Sequence, residues 1–262
     1  MPIPERLKPK FAAETSATTD KLSEARLSQA RERLIVALDV PTAEAAMRLV
    51  KKLNGACTWF KVGMELFTAA GPSVVEKLAG GGHSVFLDLK FHDIPNTVAG
   101  AVRSAAKLGA RMITLHAAGG PAMLASARDA ISGVADPPQL LAVTVLTSID
   151  DAQLKATGIA RTPAQQVEIL AKMGLVAGIR GFVCSPEEVS ALRALTGRDG
   201  VLVVPGIRPA GANAGDQARL ATPAEALCKG ASYLVVGRPI TQASDPAAAA
   251  DAIVKEMGRA IN

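Results

Sequence analysis

The sequence predicts a single α/β domain, one (β/α)8 barrel preceded by a mobile N-terminal extension, and three observations carry that reading. From Leu34 onward, eight short β-branched runs alternate with Ala-rich segments of helical period, the pattern of βα units around a parallel sheet. Runs such as LIVAL at 34–38 are apolar without alternation, so these strands are buried on both faces. The chain has 262 residues, close to the roughly 250 residues of one such barrel and too few for two generous domains.

Residues 1–33 are rich in Ala, Ser, Thr and charge and contain no strand-like run, although 20–33 could form a helix. They are expected to be a flexible or loosely helical extension, with residues 34–262 forming the catalytic barrel. Glu5, Glu14, Asp20 and Glu24 make the segment too acidic for a transit peptide. Strands are expected at 34–39, 57–62, 84–89, 111–116, 139–145, 181–184, 201–204 and 233–236. Eight βα units favour closure over an open doubly wound sheet, and no G-x-G-x-x-G follows the first strand. Helix starts are marked by Pro41-Thr42, Gly71-Pro72, Ser185-Pro186 and Thr222-Pro223. One long Gly/Ala-rich loop, Pro205 to Ala221, separates the seventh strand from its helix.

Composition narrows the function classes. With 49% apolar but only 3% aromatic residues, the core must be built from Ala, Val, Leu and Ile. Of the net charge of +5, two units fall in the first 33 residues, leaving three spread over the barrel. No like-charge run or aromatic-basic interleaving marks a nucleic-acid face, so nucleic acid is not expected as a partner. Cys57, Cys184 and Cys228 are odd in number and widely spaced, which suggests reduced thiols and not a disulfide framework or zinc site. No stretch of ~18 apolar residues or secretory leader is evident, so no membrane partner is expected and the location is expected to be cytoplasmic.

Catalytic groups of such barrels come from the C-terminal ends of strands. Those ends supply Asp39, Lys61, Asp88 with Lys90, His116, and Thr147 just beyond strand five. Asp88 and Lys90 are two apart, so on an extended strand both face the barrel mouth while Leu89 and Phe91 face the helices. Asp93 follows on the loop. A charged ring that merely closes the barrel top would account for Asp39 or Lys61 singly, but less well for charges on three adjacent strands. His92, His116, Asp88 and Asp93 could gather at one mouth, but their spacing is not that of H-E-x-x-H, and no metal is expected. His92 reads as a supporting residue and His83 as a surface turn residue. For an anion, the loops after strands seven and eight offer Gly237 and Arg238, and the long loop carries Arg208 and Gln217. Its glycines and alanines would let that loop fold over a bound phosphate.

LDV around Asp39, FKVG around Lys61, DLKFHDIPNT from Asp88 to Thr97, VTVLTS with Thr147, PGIRP with Arg208, GDQAR with Gln217 and VVGRPI with Arg238 together resemble the orotidine 5′-monophosphate decarboxylases. The resemblance runs from Leu34 nearly to the C-terminus. It implies a carboxy-lyase that converts orotidine 5′-monophosphate to UMP and CO2 in de novo pyrimidine biosynthesis, without cofactor or metal. By the same resemblance Lys90 protonates a C6 carbanion, and Asp39, Lys61, Asp88 and Asp93 complete an alternating charge network. Thr97, Thr147, Arg208, Gln217, Gly237 and Arg238 join these as substrate-binding residues. The resemblance further implies a homodimer with shared sites, Asp93 coming from the neighbouring subunit. Two other readings stay open. A metal-dependent sugar-phosphate decarboxylase or aldolase shares the D-x-K-x-x-D spacing, but tends to place a carboxylate where Lys61 stands and lacks the PGIRP to GDQAR loop. A non-catalytic barrel scaffold would be expected to have lost part of the charged network.

Overall fold

Eight parallel strands close on themselves in the computed structural model of this chain, which describes residues 24–209 and 220–261. They are β1 (Leu34–Ala37), β2 (Trp59–Gly63), β3 (Ser84–Phe91), β4 (Ala110–His116), β5 (Gln139–Val143), β6 (Gly181–Val183), β7 (Val201–Val204) and β8 (Tyr233–Val236), each paired with its sequence neighbours and β8 with β1. All eight expected strands are present. β2 begins at Trp59 and not at Cys57, and β5 stops at Val143.

Strand alternation builds two cores. Residues such as Phe60, Val62, Val85, Leu87, Ile113, Leu115 and Phe182 face outward onto the helices. Ile35, Ala37, Phe86, Met112, Leu141, Val203 and Val235 fill the barrel interior. Trp59 and Tyr233, the first residues of β2 and β8, meet edge-on with ring centroids 5.4 Å apart and sit against this inner cluster. At that N-terminal end a separate cavity of about 440 Å³ is lined by Trp59, Arg111, Gln139, Arg180 and Tyr233, whereas the sites of such barrels lie at the opposite, C-terminal mouth.

Local sequence sets the helices. In α2 (Ala43–Leu53), the Thr42 hydroxyl accepts from the Ala45 N–H, and Asn54 ends the helix in the left-handed region at φ 44°. Gly71, at φ 68°, and Pro72 divide the second unit into α3 (Met64–Ala70) and α4 (Ser73–Gly80). After β3 comes α5 (Pro95–Lys107); after β4, a 3-10 turn (Ala117–Gly119) leads into α6 (Gly120–Asp129). α7 (Asp151–Ala156) and α8 (Pro163–Val176) follow β5, with a capping box of Thr162 and Gln165 opening α8. Ser185-Pro186 was expected to open the sixth helix, but α9 spans Val189–Thr196. The intervening residues form a turn in which Glu188 Oε2 accepts the Ser185 N–H at 2.9 Å. Thr222 and Glu225 form a second capping box with Pro223 at the first position of α10 (Pro223–Cys228). The short α11 (Arg238–Thr241) and long α12 (Pro246–Ala260) complete the ring.

The segment expected to be flexible or loosely helical is helical over 24–33 (α1), and that part is docked on the barrel. Ala30 is fully buried, Leu27 packs against the helix-layer core, and Arg31 pairs with Asp251 of α12 at 3.4 Å. Residues 1–23 lie outside the described residues. No helix among the described residues is long and apolar enough to cross a membrane.

Candidate active site

The charged strand ends converge at the C-terminal mouth. Lys61 Nζ donates to Asp39 Oδ1 at 2.8 Å and lies 3.8 Å from Asp88 Oδ2, while Lys90 Nζ donates to Asp88 Oδ1 at 2.9 Å. Carboxylate and ammonium alternate across three adjacent strands, Asp39–Lys61–Asp88–Lys90. The Lys61 and Asp88 side chains are only 12% and 13% exposed; charges so far removed from water are stable only because each has an opposite partner.

Asp88 and Lys90 share the mouth as expected, but not through plain extended geometry. Between Leu87 and Phe91, β3 advances four residues while β4 advances two, from Ile113 to Leu115. Lys90 sits in this bulge with φ 52°, a conformation a non-glycine residue adopts at a cost of about 1–2 kcal/mol. Thr114 of β4 stands opposite: its hydroxyl accepts the Lys90 N–H at 2.9 Å and donates to Asp88 Oδ1 at 3.0 Å. Sequence reading passed over Thr114. The available signal was parity, since Met112, Thr114 and His116 alternate with the outward Ile113 and Leu115.

Gly63 is the other unforeseen position. A Cβ there would come within 2.9 Å of Lys61 Nζ and 3.3 Å of Asp39 Oδ1, so the absent side chain leaves room for the ion pair.

His116 ends β4, half-buried, with its ring 5.4 Å from that of the exposed His92. Its pKa is held below the ordinary histidine value by burial first, then by His92 and Lys90, with Asp88 opposing; neutral imidazole is favoured. His83 packs edge-on against Phe60, centroids 5.0 Å apart.

A cavity of about 190 Å³ opens on the charged cluster, lined by Lys61, Asp88 and Lys90 on one side and by Val143, Thr147, Cys184, Pro205 and Val235 on the other. Burial pushes the Cys184 thiol pKa up, which leaves it a neutral apolar wall. A larger cavity of about 830 Å³ shares Thr147 but lies between α8, α9 and the loop after β5, among Asp150, Asp151, Glu168 and Glu187. Its carboxylates would repel an anion, whereas the smaller cavity presents two ammonium groups.

The remaining expected residues fall in three places. Gly237 caps the short α11 after β8, with its nearest approach to the network at Asp39 Oδ2, 3.9 Å from where a Cβ would lie, and Arg238 opens that helix on the exposed side. Arg208 lies where the long loop is pinned: its N–H donates to Ala221 O at 3.0 Å, and Ile207 bridges Ala221. Gln217 lies outside the described residues. Asp93 and Thr97 are exposed and do not join their own chain's cluster; Asp93 Oδ1 instead accepts the Ile94 N–H at 2.6 Å. Among the described residues no three His, Cys, Asp or Glu side chains converge as a metal-binding group.

The profile of the orotidine 5′-phosphate decarboxylase / HUMPS family matches residues 32–253. A protein named orotidine 5′-phosphate decarboxylase from Nitrosococcus oceani is 53% identical over 227 residues, covering 87% of this chain and 98% of the relative. One of the same name from Anaeromyxobacter dehalogenans is 54% identical over 222 residues, covering 85% and 96%. Among solved structures, that of orotidine 5′-phosphate decarboxylase from Lactobacillus acidophilus superposes with a TM-score of 0.76 at 45% identity, covering 86% of this chain and 99% of that one.

Proposed function

The chain belongs to the orotidine 5′-phosphate decarboxylase / HUMPS family, and we propose that it decarboxylates orotidine 5′-monophosphate to UMP in pyrimidine biosynthesis. The observation that carries this reading is the alternating Asp39–Lys61–Asp88–Lys90 network at the mouth of a closed barrel.

Loss of CO2 from C6 leaves the electron pair of the broken C–C bond on the ring, with no adjacent electron sink. A fixed cation beside C6 is what such a carbanion needs. In the proposed mechanism Lys90 Nζ supplies it, then transfers a proton to C6 and regains one from solvent. Asp88 faces the substrate carboxylate; two like charges ~4 Å apart at an effective dielectric near 20 repel by about 4 kcal/mol, a repulsion that ends when CO2 leaves. Enzymes lower barriers by roughly 8–23 kcal/mol, so most of the effect falls to carbanion stabilisation and to binding energy from the phosphate.

The enclosed volume of about 190 Å³ is smaller than the ~300 Å³ of ordinary ligand sites, which suits a pyrimidine ring held inside with the ribose phosphate lying out over Gly237, Arg238 and the Arg208 loop. Thr147 borders the ring cavity, and Gln217 belongs to the phosphate side of the proposal.

The proposal includes a homodimer in which Asp93 and Thr97 complete the partner's site. It is supported by the outward position of both residues and by exposed apolar groups at the ends of adjoining strands, Met64 and Ile94, which are 58% and 67% exposed. A cytoplasmic location is supported by three unbridged thiols, Cys57, Cys184 and Cys228. The metal-dependent alternative fares worse because the Lys61 ammonium stands between Asp39 and Asp88, where a cation would otherwise be held.

Adding purified protein to orotidine 5′-monophosphate should abolish the orotidylate absorbance band at the same rate with and without EDTA. An unchanged band would leave the scaffold and sugar-phosphate readings, and a rate abolished by EDTA would show that the decarboxylation needs a metal.

A further inference from the structure

We propose that Thr114 is a positioning residue for decarboxylation: one buried hydroxyl holds both members of the Asp88–Lys90 pair in their working orientations. The inference rests on the proposed function for what that pair does.

Thr114 lies on the lumen side of β4 and is fully buried. Its neighbours in the barrel interior, Met112 and Leu141, are apolar, so shape alone would be met by valine. A hydroxyl at this depth is stable only if bonded, and this one is bonded twice. It donates to Asp88 Oδ1 at 3.0 Å and accepts the Lys90 N–H at 2.9 Å, which leaves the group no spare proton.

The two bonds act on different degrees of freedom. The first fixes the rotation of the Asp88 carboxylate, so that Oδ1 meets Lys90 Nζ at 2.9 Å while Oδ2 is turned toward Lys61 Nζ at 3.8 Å. The second anchors the peptide of Lys90 in the left-handed region at φ 52°, inside the bulge where the β3–β4 ladder is broken and gives that N–H no partner in the sheet. Without the hydroxyl, Asp88 would lose its one uncharged donor and Lys90 the bond that resists relaxation to a β conformation. Both groups would remain present, but less well aligned, and misplacements near 1 Å can slow catalysis about a hundredfold. Because Thr114 lies beneath the network and does not touch the phosphate side, its removal should act on kcat and leave KM alone.

The test compares wild type with Thr114→Val and Thr114→Ser, after wild-type turnover of orotidine 5′-monophosphate has been established. Thr114→Val should lower kcat by about ten- to a hundredfold, the range set by a hydrogen bond to a charged group, with KM changed less than about twofold. Thr114→Ser should stay within about threefold of wild type. A Val variant with wild-type kcat, or a Ser variant as slow as Val, would overturn the inference, the latter by showing that packing and not the hydroxyl matters. If Val does not fold, Thr114→Ala crowds nothing and is read in the same way. Amide hydrogen exchange at Lys90 reports the second bond without turnover: it should accelerate at least about tenfold in Thr114→Val, and unchanged exchange would overturn the inference. Absence of turnover in the wild type would sink the functional reading alone, with the exchange experiment still deciding what Thr114 holds.

Discussion

Lys61 and Asp39 meet at 2.8 Å across β1 and β2 directly above Gly63, where even a methyl group would press on the lysine tip. Asp39 and Lys61 come from different strands, and the closeness of their pair depends on a residue that contributes no side chain at all.

Gly63→Ala should therefore separate activity from stability. The Gly63 backbone is extended, at φ −92° and ψ −177°, so alanine is tolerated, and the atom it crowds is the flexible end of a lysine. Thermal melting is expected to shift by no more than about 2 °C, while kcat/KM falls by about ten- to a hundredfold as Lys61 is displaced. A variant with unchanged kcat/KM would show that the position of Lys61 does not matter.

Leu27→Ala tests the docking of α1. Leu27 is partly buried against the core, and its side chain lies 3.2 Å from where a Cβ on Gly258 of α12 would stand. Truncation should cost about 1–2 kcal/mol, less than for a fully buried leucine, and lower Tm by about 2–8 °C for a chain of this size. A deletion that ends at Ala30 should cost more. An unmoved Tm in both would mean that the helix contributes nothing to the fold.

His116 should make stability fall in mildly acidic solution. Its folded pKa is depressed by burial, His92 and Lys90, whereas the unfolded chain takes up that proton near pH 6.5. Between the two values the unfolded state holds more protons, so stability from this group is complete above about pH 6.5 and is lost as pH falls toward the folded pKa. Denaturant midpoints measured from about pH 7.5 down to 5 should drop less steeply in His116→Asn than in wild type. Parallel curves would assign the pH dependence to other groups.

Lys90→Ala and Asp93→Ala should each abolish turnover, Lys90→Ala leaving no more than about a hundredth of the activity, with circular dichroism unchanged, since in the proposed mechanism one removes the cation and acid and the other a group offered to the second site of the dimer. If the site is shared, a mixed dimer places both defects in one site and restores the other. With random exchange, half of the dimers are mixed and each has one good site. Mixing the two variants should then return up to about a quarter of the wild-type activity per site. Demonstrated exchange with no activity would confine Asp93 to its own chain.

Much of this was legible in one dimension because strand and helix periods are local properties. The doubly apolar runs placed all eight strands, and Thr42 and Thr222 announced their helices through hydroxyls that reach only three residues ahead. The helix at 24–33 fell within the segment read as helix-capable, but its docking was harder to read: with Leu27 and Ala30 as its inward contacts, its apolar face is too narrow to stand out. The delayed start of α9 depended on Glu188 folding back to the Ser185 N–H, a choice that pattern does not encode.

The sequence by itself determined the barrel, its mouth and the identities of Asp39, Lys61, Asp88 and Lys90, because the alternation of a strand and the C-terminal placement of sites follow from backbone geometry. Only the tertiary structure decided how those four meet. The bulge in β3, the left-handed Lys90, the Thr114 hydroxyl between them and the gap above Gly63 depend on what the adjoining strands bring opposite. Most such contacts join residues more than twenty positions apart, and the pairing of adjacent strands is what sets their distances.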